Sequence, residues 1–86
     1  MDPRTELILQ KCIKDFIDTG RPITSDYLYE NYEFGIKPAM IRRELSILDE
    51  EGYLEQIHTS GGRFPTNKAY QYFVNKVLEK EEKKQR

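Results

Sequence analysis

Cysteine and histidine are almost missing from this chain, and their scarcity excludes more chemistry than anything present suggests. The lone cysteine, Cys12, rules out an intramolecular disulfide. The one histidine, His58, has no cysteine, histidine or carboxylate at the spacing of a zinc site or a catalytic triad. Also absent are a Gly-rich phosphate loop, an internal repeat, a low-complexity linker and any apolar run approaching the roughly 20 residues of a membrane span. The N-terminus, MDPRTEL, has neither the basic start nor the apolar stretch of a secretory signal. The expectation is a cytoplasmic protein that is not an enzyme, with no metal, cofactor, membrane partner or small-molecule substrate.

An excess of positive charge is missing too. The formal net charge is -1 over 86 residues, whereas nucleic-acid-binding domains are often strongly basic. The distribution says more than the sum. Asp2, Glu6, Asp15, Asp18, Asp26, Glu30 and Glu33 crowd the first part of the chain, while Lys37, Arg42, Arg43, Arg63 and Lys68 follow together. A basic face on an acidic body is expected. Hydrophobic residues at 37% and aromatics at 12% supply one small core, near the lower size limit for an unsupported domain. Residues 1–78 are read as that domain and 79–86, EKEEKKQR, as a charged helix end or tail.

What is present reads as helices interrupted by glycine and proline. Asp2 and Pro3 open a first helix, with Thr5 as an alternative cap. Leu7, Ile8, Cys12, Ile13, Phe16 and Ile17 form its apolar face, and Gly20 and Pro22 end it. Pro22-Ile23-Thr24 suits a short strand, Ser25 caps a second helix through about Tyr32, and Gly35 makes a tight turn. Pro38 begins a third helix, reaching Glu50 or Glu51, with Ile41, Leu45 and Leu48 buried. After Gly52 come a strand from Tyr53 to Ile57, a turn and a returning strand, Arg63-Phe64-Pro65. Thr66 is expected to cap a last helix with Ala69, Tyr70, Phe73, Val74, Val77 and Leu78 on its apolar face.

The outer face of the third helix carries Ala39, Arg43, Ser46 and Glu50, flanked by Met40 and Arg42. Adjacent arginines often do no more than solvate a helix. Here they follow a short turn and precede a hairpin, the order of a recognition helix and its wing. Arg43 fits a bidentate contact to guanine, Arg42 and Lys37 fit phosphate, and Lys68 is a further candidate for phosphate. In the wing, His58, Thr59, Ser60, Gly61, Gly62 and Arg63 supply hydroxyls, open backbone amides and a cation for a DNA backbone or groove. Asp49, Glu50 and Glu51 are read as solvent face and Cys12 as core. The fold class expected is mainly α with a small β-hairpin (α+β): about four helices and a wing sheet of two or three strands. A protein-interaction module that leaves DNA alone is the alternative, favoured by the acidic balance.

The run PAMIRRELSILDEEGYLEQIHTSGGRFPTNKAYQYFV, from Pro38 to Val74, with IDTGRPITSDYL upstream, resembles the N-terminal domain of the HrcA family of heat-inducible transcription repressors. The resemblance implies a winged-helix repressor domain, acting as a homodimer on double-stranded DNA at an inverted-repeat operator upstream of chaperone genes. By position it places Met40, Arg42 and Arg43 in the recognition helix and His58 to Arg63 in the wing. Where the family pattern usually has Thr, Asn and Pro, this chain has Met40, Arg43 and Ile57.

Overall fold

Asp2 accepts a hydrogen bond from the Arg4 amide at 3.0 Å, and Pro3 occupies the first helical turn, where its missing N–H leaves nothing unpaired. The computed structural model describes residues 1–56 and 62–84, with side chains as far as 81. In order these form α1 (Pro3–Thr19), α2 (Ser25–Asn31), α3 (Pro38–Glu50), β1 (Leu54–Gln56), β2 (Arg63–Pro65) and α4 (Asn67–Lys84). The strands are antiparallel, pairing Leu54 with Pro65, Glu55 with Phe64 and Gln56 with Arg63. Pro65 is tolerated at the strand end, as expected. Ile23 forms an isolated bridge to Arg63, exchanging backbone hydrogen bonds of 2.8 and 2.9 Å, so the short extended segment before α2 lies against β2.

Positive φ falls where the sequence placed its turns. Gly20 (φ 68) closes α1 by donating its amide to the Phe16 carbonyl at 2.8 Å, Gly35 (φ 74) turns the chain between α2 and α3, and Gly52 (φ 83) follows α3. Two caps differ from expectation. Thr24, not Ser25, caps α2: its backbone is extended, and its Oγ1 accepts the Tyr27 amide at 3.1 Å, whereas Ser25 is already helical. Thr66 leads α4 through its backbone carbonyl, but its hydroxyl donates to the Gly52 carbonyl at 2.6 Å. Its side chain therefore ties α4 to the end of α3.

The core joins Ile8, Leu9, Cys12 and Ile13 of α1, Ile23, Leu28 of α2, Ile41, Leu45 and Leu48 of α3, Leu54 of β1 and Ala69 of α4. On α1 the buried arc runs through Thr5, Leu9, Cys12 and Phe16, because the helix packs against α3, β2 and α4. That arc takes in Leu9 and leaves Leu7 and Ile17 exposed, correcting the expected face. On α4 the inner positions Ala69, Tyr70 and Phe73 meet the core, while Val74, Val77 and Leu78 are each more than half exposed. The buried Cys12 thiol is pushed up to about 12 by loss of solvent and then by Asp15, so it stays protonated in the core.

Among the described residues, two tyrosine hydroxyls tie helices together through carboxylates. Tyr32 donates to both oxygens of the buried Asp15 at 2.7 Å, joining the end of α2 to α1. Tyr72 donates to Glu6 at 2.7 Å, joining α4 to α1. Removal from solvent, and then the neighbouring carboxylate, push the Tyr32 and Tyr72 hydroxyls up to about 12. A raised folded pKa means that the protonated phenol contributes its full stability below the ordinary value of 10.0 and loses it as pH climbs toward 12. The denaturant midpoint should therefore fall between those pH values. Tyr32→Phe should cost about 1–3 kcal/mol at neutral pH, by leaving Asp15 short of a donor, and should make the alkaline decline shallower. Urea unfolding of both proteins across the pH range measures the two effects; equal alkaline slopes would remove Tyr32 as a cause.

Candidate nucleic-acid interface

Lys37 precedes α3 in an extended conformation, its carbonyl accepting the Met40 and Ile41 amides at 2.9 and 3.2 Å, and its side chain makes no cap. From there α3 turns two faces in opposite directions. Ile41, Leu45 and Leu48 are buried as expected, while Lys37, Ala39, Met40, Arg42, Arg43 and Ser46 are all exposed. Two carboxylates of α3, Glu44 and Asp49, are engaged within the fold. Glu44 lies inside the fold, where its carboxylate accepts a close hydrogen bond from the Thr5 hydroxyl of α1. Asp49 accepts from Arg63 Nε at 2.6 Å. Among the described residues Arg42 and Arg43 have no ion-pair partner.

Beside this face an open groove of about 400 Å³ is lined by Thr24, Ser25, Asp26, Arg42, Ser46, Gln56 and Arg63. Thr24, Ser25 and Gln56 join the site only because the Ile23–Arg63 bridge carries the start of α2 and the wing strands to α3. Local sequence patterns gave no reason to include Gln56. Ser25 was legible only as a capping candidate and Thr24 only as the end of a short extended segment.

Three expected site residues make contacts within the fold. Arg63 keeps only 12% of its side chain exposed and reaches back to α3 rather than outward. Gly62 is buried, and a β-carbon there would stand 2.7 Å from Pro22 Cβ, so the glycine permits close packing at the base of the wing rather than loop freedom. Lys68 donates to the Glu51 carbonyl at 2.6 Å, and its ammonium lies 4.6 Å from the Tyr53 ring centroid. It supplies the cation that the last turn of α3 lacks, where Asp49, Glu50 and Glu51 oppose the helix dipole. This places it at the opposite end of α3 from Lys37, about 20 Å along the axis. Asp49, read from sequence as solvent face, is half-buried. His58, Thr59, Ser60 and Gly61 lie outside the described residues.

A short helix, a tight turn, a helix with one basic outer face and an antiparallel hairpin behind it define a winged helix-turn-helix domain. No family model matches the chain. It is 45% identical over 82 residues to the heat-inducible transcription repressor HrcA of Desulforamulus reducens, which covers 95% of this chain and 24% of that protein. The HrcA of Carboxydothermus hydrogenoformans is 44% identical over 80 residues, covering 93% and 24% of the two chains. That of Symbiobacterium thermophilum is 45% identical over 78 residues, covering 91% and 23%. The crystal structure of a hypothetical protein at 2.2 Å resolution superposes with a TM-score of 0.84 at 28% identity, over 92% of this chain and 25% of the other. Over more than nine-tenths of its length the chain is thus similar to the N-terminal part of the HrcA repressors, and it spans about a quarter of the length of those it matches.

The close packing of Gly62 gives a direct check on the base of the wing. Gly62→Ala should destabilise the fold by about 1–3 kcal/mol, because the new methyl must displace Pro22. Urea unfolding measures this; an unchanged midpoint would show that the Pro22 segment yields freely.

Proposed function

We propose that this chain is the sequence-specific DNA-binding domain of a cytoplasmic transcription repressor of the heat-shock response. Two copies would act as a homodimer on an inverted-repeat operator and repress by occupying a promoter, with no chemistry on the DNA. The observation that carries this reading is the unneutralised outer face of α3. Lys37, Arg42 and Arg43 stand exposed on a chain of net charge -1 with no ion-pair partner among the described residues, while Asp49 is paired with Arg63. In this reading α3 enters the major groove. Arg43 reads a base edge, Arg42 and Lys37 meet phosphates, and Ala39, Met40 and Ser46 shape the contact. The segment His58 to Gly61 approaches the backbone or minor groove, and Thr24, Ser25 and Gln56 face the same duplex across the groove beside Arg42. On a two-fold operator the two helices would sit about 34 Å apart or a multiple of that.

Selection of bound duplexes from a random library, read by sequencing, tests specificity and spacing together. It should return an inverted repeat, and affinity for it should fall with salt by about 0.9 in the log–log slope per phosphate neutralised. Arg43→Ala should lower affinity for the selected sequence by about 1–3 kcal/mol while changing random-duplex binding much less. An equal loss on both would make Arg43 a phosphate contact. The alternative is a protein-interaction module, favoured by the exposed Val74, Val77 and Leu78 of α4. It would be preferred if no duplex is bound even at low salt.

A further inference from the structure

Resting on the DNA-binding reading, we infer that Arg63 and Asp49 form a positioning pair that sets the wing against the recognition helix, and that Arg63 does not neutralise a phosphate. Asp49 lies in the last turn of α3 and Arg63 opens β2, so the bond joins the helix to the strand that carries the wing. Its geometry is that of a charge-assisted hydrogen bond, Nε to Oδ2 at 2.6 Å, with side chains only 12% and 24% exposed. The other carboxylate oxygen, Oδ1, is buried and has no hydrogen-bond partner among the described residues. Arg63 is thus the cation on which that carboxylate depends.

The backbone of the same residue is equally engaged. Its amide and carbonyl both bond to Ile23, and it pairs with Gln56 across the hairpin. One residue therefore fixes three segments: the approach to α2, the wing and the end of α3. Next to it, Gly62 packs on Pro22 and holds the same junction from the other side. Moving the Arg63 side chain out to a phosphate would strand Asp49 half-buried without its cation, a loss to be set against any gain at the DNA. Held inward, the pair keeps its mutual hydrogen bond and fixes the angle at which the wing leaves the helix.

The two roles predict opposite results for Asp49→Asn. A phosphate contact released from its acidic partner should bind duplex more tightly, with a steeper salt dependence. A positioning pair should lose affinity for the selected operator, on the order of tenfold, with the log–log salt slope unchanged. Arg63→Lys provides the second arm. Lysine keeps a cation for phosphate but lacks the Nε geometry, so a positioning role predicts the same loss as Asp49→Asn and a phosphate role predicts almost none. In the double variant the two losses should not add, since both remove one bond. Amide shifts of Ile23 and Phe64 in the DNA-free variants should move as the junction loosens, a readout that loss of a phosphate contact would leave alone. Circular dichroism confirms that each variant is folded at the binding temperature, and Arg63→Lys decides the matter if Asp49→Asn is not. Tighter binding by Asp49→Asn, or unchanged affinity of Arg63→Lys, overturns the inference while the DNA reading stands. Failure of the wild-type chain to bind any duplex overturns both.

Discussion

The backbone exchange between Ile23 and Arg63 is the constraint on which the arrangement depends. Helix α2 is a short element with one fully buried side chain, Leu28, and a two-stranded hairpin is marginal without a surface to rest on. Joining the segment before α2 to β2 lets each support the other and closes both against α3. Leu54, Ile23 and Leu45 then share one core. The groove beside Arg42 exists because of the same junction, since its lining comes from α2, α3 and both strands.

Electrostatics follow from how the fold spends its carboxylates. Asp15 is bonded to Tyr32, Glu6 to Tyr72, Glu44 to Thr5 and Asp49 to Arg63. Each holds two segments together, and the last also balances one carboxylate of α3 with a cation. A chain with a slight negative balance thereby presents a cationic helix face, which a net charge cannot reveal. Arg42 and Arg43 have no ion-pair partner among the described residues, and Asp49 near them is held by Arg63.

The helices, their glycine and proline boundaries and the buried stripe Ile41, Leu45 and Leu48 were legible in the sequence, because they follow from 3.6-residue periodicity and from the few residues that accept positive φ. The rest depended on partners distant along the chain. Glu44 on α3 looks like a surface carboxylate until Thr5 is brought beside it. Arg63 and Lys68 look like free cations, yet the carboxylate and carbonyl that hold them lie at Asp49 and Glu51. Leu7 and Ile17 look like core residues, but α1 is buried along an arc set by α3, β2 and α4 together. Periodicity gives a helix's likeliest inner face, and only packing gives its width.

The two ends of α3 divide the work. The C-terminal end is anchored by the Lys68 ammonium on the Glu51 carbonyl, the Thr66 hydroxyl on Gly52 and the Arg63 bond to Asp49. The N-terminal end carries Lys37, Met40, Arg42 and Arg43 on exposed turns that no described ion pair restrains. Anchoring one end of a stiff 13-residue helix fixes the direction of the other without spending any of the side chains displayed there. The outer residues of the first turns can therefore vary with little cost to the fold, whereas variation at Asp49, Arg63 or Gly62 alters the frame that aims them. On the DNA-binding reading, a change of sequence preference and a loss of stability arise at opposite ends of the same helix.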